Sequence, residues 1–137
     1  MEVFMKIKPN TDLGLFVLRV GIGASFCYFY GVPKLMGGPQ MWEGIGGSMG
    51  KLGIHFLPVV WGFMAALAEG LGGLLLVLGI FTRTAAVFMA FTMAIAVVHH
   101  LMSGDELAKA SHAIEAGMVF LSLVCMGSGK YALRAGK

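Results

Sequence analysis

An acidic residue stands inside a long apolar run of this sequence. Glu69 interrupts "AALAEGLGGLLLVLG", a stretch at residues 65–79 that otherwise contains only Ala, Leu, Gly and Val. A carboxylate in such a run can pair with a cation, hold a polar ligand or exchange protons. Each of these roles requires shelter from hydrocarbon, so Glu69 is expected to face other helices or a polar cavity.

A basic residue in an earlier apolar run is the first candidate partner for this carboxylate. Arg19 lies more than one helical turn inside the run that follows residue 12. Its long guanidinium predicts an ion pair with Glu69 between two helices. Such a pair is as readily a structural clamp as part of a functional site, and both interpretations stay open.

A second polar group gathers where the apolar runs end on the opposite side. Its members are Tyr30, Lys34, His99, His100, His112 and Glu115. Because antiparallel neighbours bring these ends together, Lys34, one of the two adjacent histidines and Glu115 are predicted to converge on one pocket. Adjacent helical residues diverge by about 100°, so His99 and His100 are not both expected to point inward.

Three interpretations of this second group stay open. The residues are interfacial polar groups that satisfy one another, a pocket that binds a small molecule or relays protons to it, or ligands of a metal or haem. The third is the weakest, because no complete ligand set is present. Cys27 and Cys125 sit in apolar stretches without a CxxC or paired Cys/His spacing, and no metal site is predicted.

The composition indicates what surrounds these residues. Of the 137 residues, 58% are hydrophobic and only 12% are charged, against about 25% charged in ordinary soluble domains. So few charges cannot cover a water-facing surface, which makes lipid the expected solvent. The net charge of +3 is spread along the chain, and without a basic block nucleic-acid binding is excluded.

The apolar runs have the length of membrane spans. They cover about residues 13–32, 57–80, 84–102 and 111–127, and a spanning helix needs roughly 20 residues. Arg19 interrupts the first run and no A-x-A site follows it, so a retained helix is expected rather than a cleaved signal peptide. Small residues four apart, such as Ala66 and Gly70, favour close packing. The predicted fold is an all-α, integral membrane four-helix bundle over residues 13–127.

Residues 33–56 form the one long connection. Apolar residues recur there at helical spacing, at Trp42, Ile45, Met49 and Leu52. Pro39 is suited to open a helix and Gly53 to close it. This pattern predicts a short amphipathic helix on the outer leaflet, with Trp42 at headgroup depth. The glycines of this loop favour the competing interpretation of a flexible cap.

Lysine and arginine predict the orientation. With an even number of spans, the polar N-terminal segment 1–12, the turn between the second and third spans and the C-terminal tail 128–137 lie on one side of the membrane. That side carries Lys6, Lys8, Arg83, Lys130, Arg134 and Lys137, and the other carries Lys34, Lys51 and Lys109. Six basic residues against three predict cytoplasmic termini. Arg83 is then a cytoplasmic anchor, with Thr84 available to cap the third helix.

Several of these stretches together resemble the DoxX family of small four-helix membrane proteins. They are "YGVPKLMGG", "AEGLGGLLLVLGIFTR", "VVHH" and "HAIEAGMVFLSL". The resemblance extends from about Leu13 to Gly127 and implies a multi-pass protein of the bacterial inner membrane. It carries over Lys34, Glu69, Arg83, His99 or His100, and Glu115 as candidate site positions.

The same resemblance implies a link to redox systems, including quinone-coupled thiosulfate oxidation and oxidative-stress complexes at the membrane. The leading hypothesis is an accessory subunit of a membrane redox system, with a polar pocket for a quinone or another lipophilic small molecule. Two alternatives stay open: a carrier or binding protein for a small apolar or sulfur-containing metabolite, and a structural anchor that recruits a soluble oxidoreductase. Catalysis by the chain itself and assembly into a homo-oligomer stay open as well.

Overall fold

The computed structural model describes residues 8–133, which are helical over most of their length and contain no strand. The helices are α1 (Thr11–Met36), α2 (Gly38–Gly46), α3 (Pro58–Leu78), α4 (Thr82–Met102) and α5 (Leu107–Met126). A 3-10 segment, Gly47–Leu52, continues α2. By length and composition α1, α3, α4 and α5 can each cross a membrane, which confirms the predicted all-α membrane bundle.

The first span is longer than predicted. α1 continues past Pro33 to Met36, so Lys34 lies on a helix and not in the outer loop. A π-helical turn at Cys27–Gly31 precedes the proline, and the N–H of Val32 donates to the carbonyl of Cys27. Such a wide turn lets a membrane helix accommodate a proline without breaking. The expected end at Val32 was therefore wrong.

Glycines bring α1 and α3 into direct backbone contact. A Cβ on Gly23 would lie 2.6 Å from the carbonyl oxygen of Gly73, and one on Gly31 would overlap the backbone of Gly70. Close approach through small residues is the usual way membrane helices associate. These contacts fix the register of the two antiparallel helices, with Gly23 opposite Gly73 and Gly31 opposite Gly70.

The core lies where α1, α3, α4 and α5 meet. Leu76, Met89, Phe120 and Leu123 are fully buried there. The ring of Phe26 on α1 packs edge-on against that of Phe120 on α5, with centroids 4.9 Å apart. Large side chains fill this centre, whereas glycines line the α1–α3 contact and allow those two helices to approach closely.

The connection between α1 and α3 is helical, as predicted. Pro39 stands in the first turn of α2, and Gly53 ends the 3-10 segment with a φ of 83°. The helical geometry of the segment favours the amphipathic helix over the flexible cap. α2 packs on α3, where the carbonyl of Trp42 lies against Gly62 and that of Pro58 against Gly46. The segment is thus attached to the bundle through its backbone.

The two ends of the bundle differ. One end, here called the terminal face, holds the start of α1, the α3–α4 turn and residues 127–133. There the N–H of Lys130 donates to Asp12 Oδ1 at 3.0 Å. In the same region Leu133 N–H donates to the carbonyl of Leu78 at 3.1 Å. The opposite end, here called the loop face, holds α2, the 3-10 segment and the α4–α5 turn. Lys6, Arg134 and Lys137 lie outside the described residues.

The start of α4 differs from the sequence prediction. The helix begins at Thr82, after Phe81 with a φ of 49°, and no side chain caps it. Thr84 therefore lies inside the first turn and does not cap α4. Arg83 is exposed on the terminal face, with its guanidinium beside Gly127 at the end of α5.

Candidate functional site

Glu69 lies inside the bundle and is paired. Only 2% of its side chain is exposed, and its Oε2 accepts a hydrogen bond from Lys34 Nζ at 2.7 Å. The prediction that this carboxylate is sheltered by neighbouring helices is confirmed. The predicted partner was wrong, because the cation at Glu69 is Lys34 and not Arg19.

The register of α1 and α3 explains this difference. Arg19 lies beside Gly79, since a Cβ there would sit 2.9 Å from Arg19 Nη1. Gly79 follows Glu69 by ten residues, which is about 15 Å along a helix. The buried guanidinium of Arg19 instead donates to the carbonyls of Ser128 and Tyr131, both at 2.6 Å.

Several contacts hold Lys34 in place. Gly31, one turn earlier, presses against Gly70, the residue that follows Glu69. Trp42 Nε1 donates to the carbonyl of Lys34 at 2.8 Å. The ring of Tyr30 lies 5.9 Å from Lys34 Nζ, within range of a cation–π contact. The ammonium is therefore positioned by α1, α2 and the π-helical turn together.

The ion pair borders an apolar cavity of about 220 Å³, here called the inner cavity. α3, α4 and the α2–3-10 segment form its walls. Met64, Phe88, Phe91 and Ile95 supply much of its surface, and Lys34, Glu69, Ser48 and Thr92 supply its polar groups. The hydroxyl of Thr92 already donates to the carbonyl of Phe88 at 2.9 Å. The charged pair is thus the principal polar feature in an apolar chamber.

The inner cavity opens on the flank of the bundle between α3 and α4. Phe88 and Phe91 line it and are each 55% exposed on α4, and Met64 on α3 is 47% exposed. Both helices are long and apolar enough to span a membrane, and the side chains exposed on this flank are apolar.

A second cavity, here called the outer cavity, lies at the loop face. Its volume is about 460 Å³, and it shares Lys34, Ile45, Ser48 and Ala96 with the inner cavity. Lys34 therefore stands between a chamber that opens to lipid and one that opens at the loop face.

Both adjacent histidines line the outer cavity. This does not contradict the expectation that the two rings do not both point into the bundle, because the side chain of His100 is 35% exposed. His100 Nδ1 lies 2.9 Å from Asp105 Oδ2. This hydrogen bond is the main reason why the pKa of Asp105, in the α4–α5 turn, is lowered. The Nδ1 atom of His99 is buried and has no hydrogen-bond partner among residues 8–133.

The α5 residues do not join Lys34. Glu115 is exposed and lines neither cavity. His112 packs its ring on Phe26 at 5.8 Å and on Tyr30 at 5.2 Å. α5 therefore meets α1 on a side different from the one that carries Lys34. Lys34 and the histidines lie together as predicted, but the prediction that Glu115 joins them was wrong. Tyr30 connects the two sides, between Lys34 and His112.

No group of three His, Cys, Asp or Glu side chains that could hold a metal occurs within residues 8–133. The site is instead an ion pair between the first and third helices of the chain, with a histidine-lined cavity above it. These features define a helical membrane bundle with a polar site inside it.

The comparison with protein families agrees with this description. The DoxX family model matches residues 14–101, and the chain belongs to the DoxX family. The match contains Lys34, Glu69, His99 and His100 and ends before α5, so the resemblance of "HAIEAGMVFLSL" lies outside it. No curated protein and no solved structure matches the chain.

Proposed function

We propose that this protein binds a lipid-soluble small molecule of the quinone class at Lys34 and Glu69, as an accessory subunit of a membrane redox system. The observation that carries the proposal is the position of the pair. Lys34 and Glu69 meet at 2.7 Å on the wall of an apolar cavity that opens on the lipid-facing flank of α3 and α4.

A structural role alone accounts poorly for this arrangement. Removing two charges from water is costly, and an apolar pair of similar volume often stabilises a protein as well or better. A purely structural pair also needs no cavity beside it. Ligand sites typically combine an apolar wall with a few well-placed polar groups, and the inner cavity has this character.

The redox part of the proposal rests on family membership and on the outer cavity. The DoxX resemblance implies association with quinone-linked systems. The two imidazoles of His99 and His100 line a cavity that contacts Lys34 and opens at the loop face. Imidazoles exchange protons near neutral pH, which suits a site whose ligand gains or loses protons with its electrons. A soluble oxidoreductase would supply the electron-transfer partner.

We also propose that the protein lies in the bacterial inner membrane with both termini in the cytoplasm. The support is the count of basic residues in the sequence, six on the side of the termini against three on the other, of which Lys8, Arg83 and Lys130 lie on the terminal face among the described residues. Fusions of green fluorescent protein and of alkaline phosphatase to the C-terminus test this orientation. Fluorescence without phosphatase activity is expected, and the reverse pattern would refute it.

The ligand proposal is tested by extraction. Protein purified from native membranes is expected to retain a redox-active lipid in near-stoichiometric amount, measured by mass spectrometry of an organic extract. Glu69→Gln should reduce that amount at least tenfold. Glu43→Gln, the same change at an exposed residue outside both cavities, is the matched control and should retain it. Absence of such a lipid from the wild type, or equal retention by Glu69→Gln, would contradict the proposal.

The adjoining cavities also favour a carrier as a second candidate. The inner cavity opens toward lipid, the outer cavity opens at the loop face, and they share four residues. Reconstituted proteoliposomes distinguish this role, since a carrier produces substrate-dependent flux of a sulfur compound or lipophile. An accessory subunit instead co-purifies with a soluble oxidoreductase and shows no such flux.

A further inference from the structure

We infer that the head of the ligand is a hydroxylated ring, and that the site binds a hydroquinone in preference to the corresponding quinone. This inference deepens the proposed function and depends on it. The evidence is the hydrogen-bonding character of the two charged groups and the size and openings of the inner cavity.

Lys34 and Glu69 differ in the hydrogen bonds that they can make, since one is a donor and the other an acceptor. An ammonium can only donate, and an ionised carboxylate can only accept. Lys34 uses one of its three donors on Glu69 Oε2, and no donor from residues 8–133 reaches Glu69 Oε1. A ligand that satisfies both groups must therefore accept from Lys34 and donate to Glu69.

A hydroxyl group meets this requirement and a carbonyl does not. The phenolic O–H of a hydroquinone can donate to Glu69 while its oxygen accepts from Lys34. A quinone carbonyl can accept from Lys34, but it has no hydrogen to donate to Glu69 and would leave the second carboxylate oxygen without a hydrogen bond. A buried acceptor left without a donor lowers affinity, and more so when it is charged.

The inner cavity limits how much of the ligand it can hold. An apolar cavity of roughly 150 Å³ accommodates benzene, so about 220 Å³ suits one substituted ring and not a long chain. Phe88, Phe91 and Trp61 line this space and can pack against an aromatic ring. An attached apolar tail would leave through the flank between α3 and α4, where Phe88 and Phe91 are exposed.

Three probes with one ring and one tail test the inference. They are 2-decyl-1,4-hydroquinone, 2-decyl-1,4-benzoquinone and the 1,4-dimethyl ether of the hydroquinone, which retains its oxygens and lacks the donor. Binding is measured by calorimetry with the wild-type protein in nanodiscs without oxygen, and empty nanodiscs correct for partition into lipid. The hydroquinone is expected to bind at least tenfold tighter than either other probe, equivalent to about 1.4 kcal/mol.

Variants assign the preference to the carboxylate. Glu69→Gln keeps the shape but adds an N–H donor, so the preference for the hydroquinone should fall to twofold or less. Glu43→Gln should leave it unchanged. Equal or tighter saturable binding of the quinone to the wild type would overturn the inference while leaving the proposed site intact. Absence of saturable binding by all three probes would overturn both. The comparison on the wild type stands even if Glu69→Gln fails to fold.

Discussion

Lys34 near the end of α1 and Glu69 in the middle of α3 form a 2.7 Å ion pair that is unequal in its exposure to solvent. The side chain of Glu69 is 2% exposed, whereas that of Lys34 is 28% exposed and borders the outer cavity. The anion therefore depends on its partner more than the cation does. The two residues should behave differently when each is replaced.

The first prediction concerns this asymmetry. Lys34→Met leaves an unpaired carboxylate inside the bundle and should cost about 3 kcal/mol of unfolding free energy, at the low end for a broken buried pair. Glu69→Gln leaves an ammonium that can turn toward the outer cavity and should cost about 1 kcal/mol, as for an ordinary lost hydrogen bond. Unfolding in mixed micelles measures both values.

The double variant completes the cycle. Lys34→Met with Glu69→Gln should be more stable than Lys34→Met alone, because no charge remains to be buried. Strict additivity of the two single changes would show that the residues do not interact in the membrane protein and would contradict the structure.

The second prediction concerns the glycine contact that places the pair. A methyl group on Gly31 would overlap the backbone of Gly70, so Gly31→Ala should force α1 away from α3 and cost about 1–3 kcal/mol, as overpacking usually does. Gly21→Ala is the matched control on the same helix, where a methyl group meets nothing within 4 Å. It should be neutral or stabilise by up to about 1 kcal/mol. Equal effects of the two substitutions would contradict the α1–α3 packing.

The sequence predicted the number of spans and the burial of Glu69 because both depend on local composition. A carboxylate near the middle of an apolar run has no polar surface within reach, so it must face protein wherever the neighbouring helices lie. The helix between Pro39 and Gly53 was predictable for the same reason, since its apolar spacing and end residues are local signals.

The partner of Glu69 was not predictable in this way. It depends on the register between α1 and α3, which the backbone contacts at Gly23 and Gly31 set. The sequence shows small residues but not which ones face each other. Likewise, the apolar run ends at Val32, and composition gives no local signal for the π-helical turn through which α1 continues to Lys34. The side of α1 on which α5 packs also depends on the arrangement of all the helices, so the position of Glu115 away from Lys34 could not be predicted from local sequence.

The third prediction tests that π-helical turn. Phe29 is exposed within Cys27–Gly31, and deleting it removes the extra residue of the wide turn. The remaining helix should become regular α, and because the wide turn absorbs one extra residue, Lys34 should keep its direction relative to residues 11–26, as Gly23 and Gly31 both face α3 across that turn. The ion pair should then survive, and Glu69→Gln should still cost about 1 kcal/mol in the shortened protein. Phe29→Leu is the control, in which Glu69→Gln should keep its usual cost. Loss of the Glu69→Gln effect in the deletion variant would show that the turn does more than absorb one residue and that Lys34 needs it to reach Glu69.

The fourth prediction concerns the C-terminal residues on the terminal face. Arg19 donates to the carbonyls of Ser128 and Tyr131 through two nitrogens of one planar group, each at 2.6 Å. Arg19→Lys keeps the charge but cannot reproduce this fork, so residues 128–133 should open more often. Losing one charge-assisted hydrogen bond costs about 1.5–3 kcal/mol, and each 1.4 kcal/mol is a factor of about ten in the opening equilibrium.

Hydrogen exchange measures this opening at two amides. The N–H groups of Lys130 and Leu133 are bonded to Asp12 Oδ1 and to the carbonyl of Leu78, and in Arg19→Lys they should exchange at least tenfold faster. Arg83→Lys is the matched control, because Arg83 is an exposed arginine on the same face and should leave both rates unchanged. Unaltered exchange in Arg19→Lys would mean that residues 128–133 are held by their own backbone contacts. Arg19 would then be a buried cation that the bundle tolerates without using it to hold the C-terminal residues.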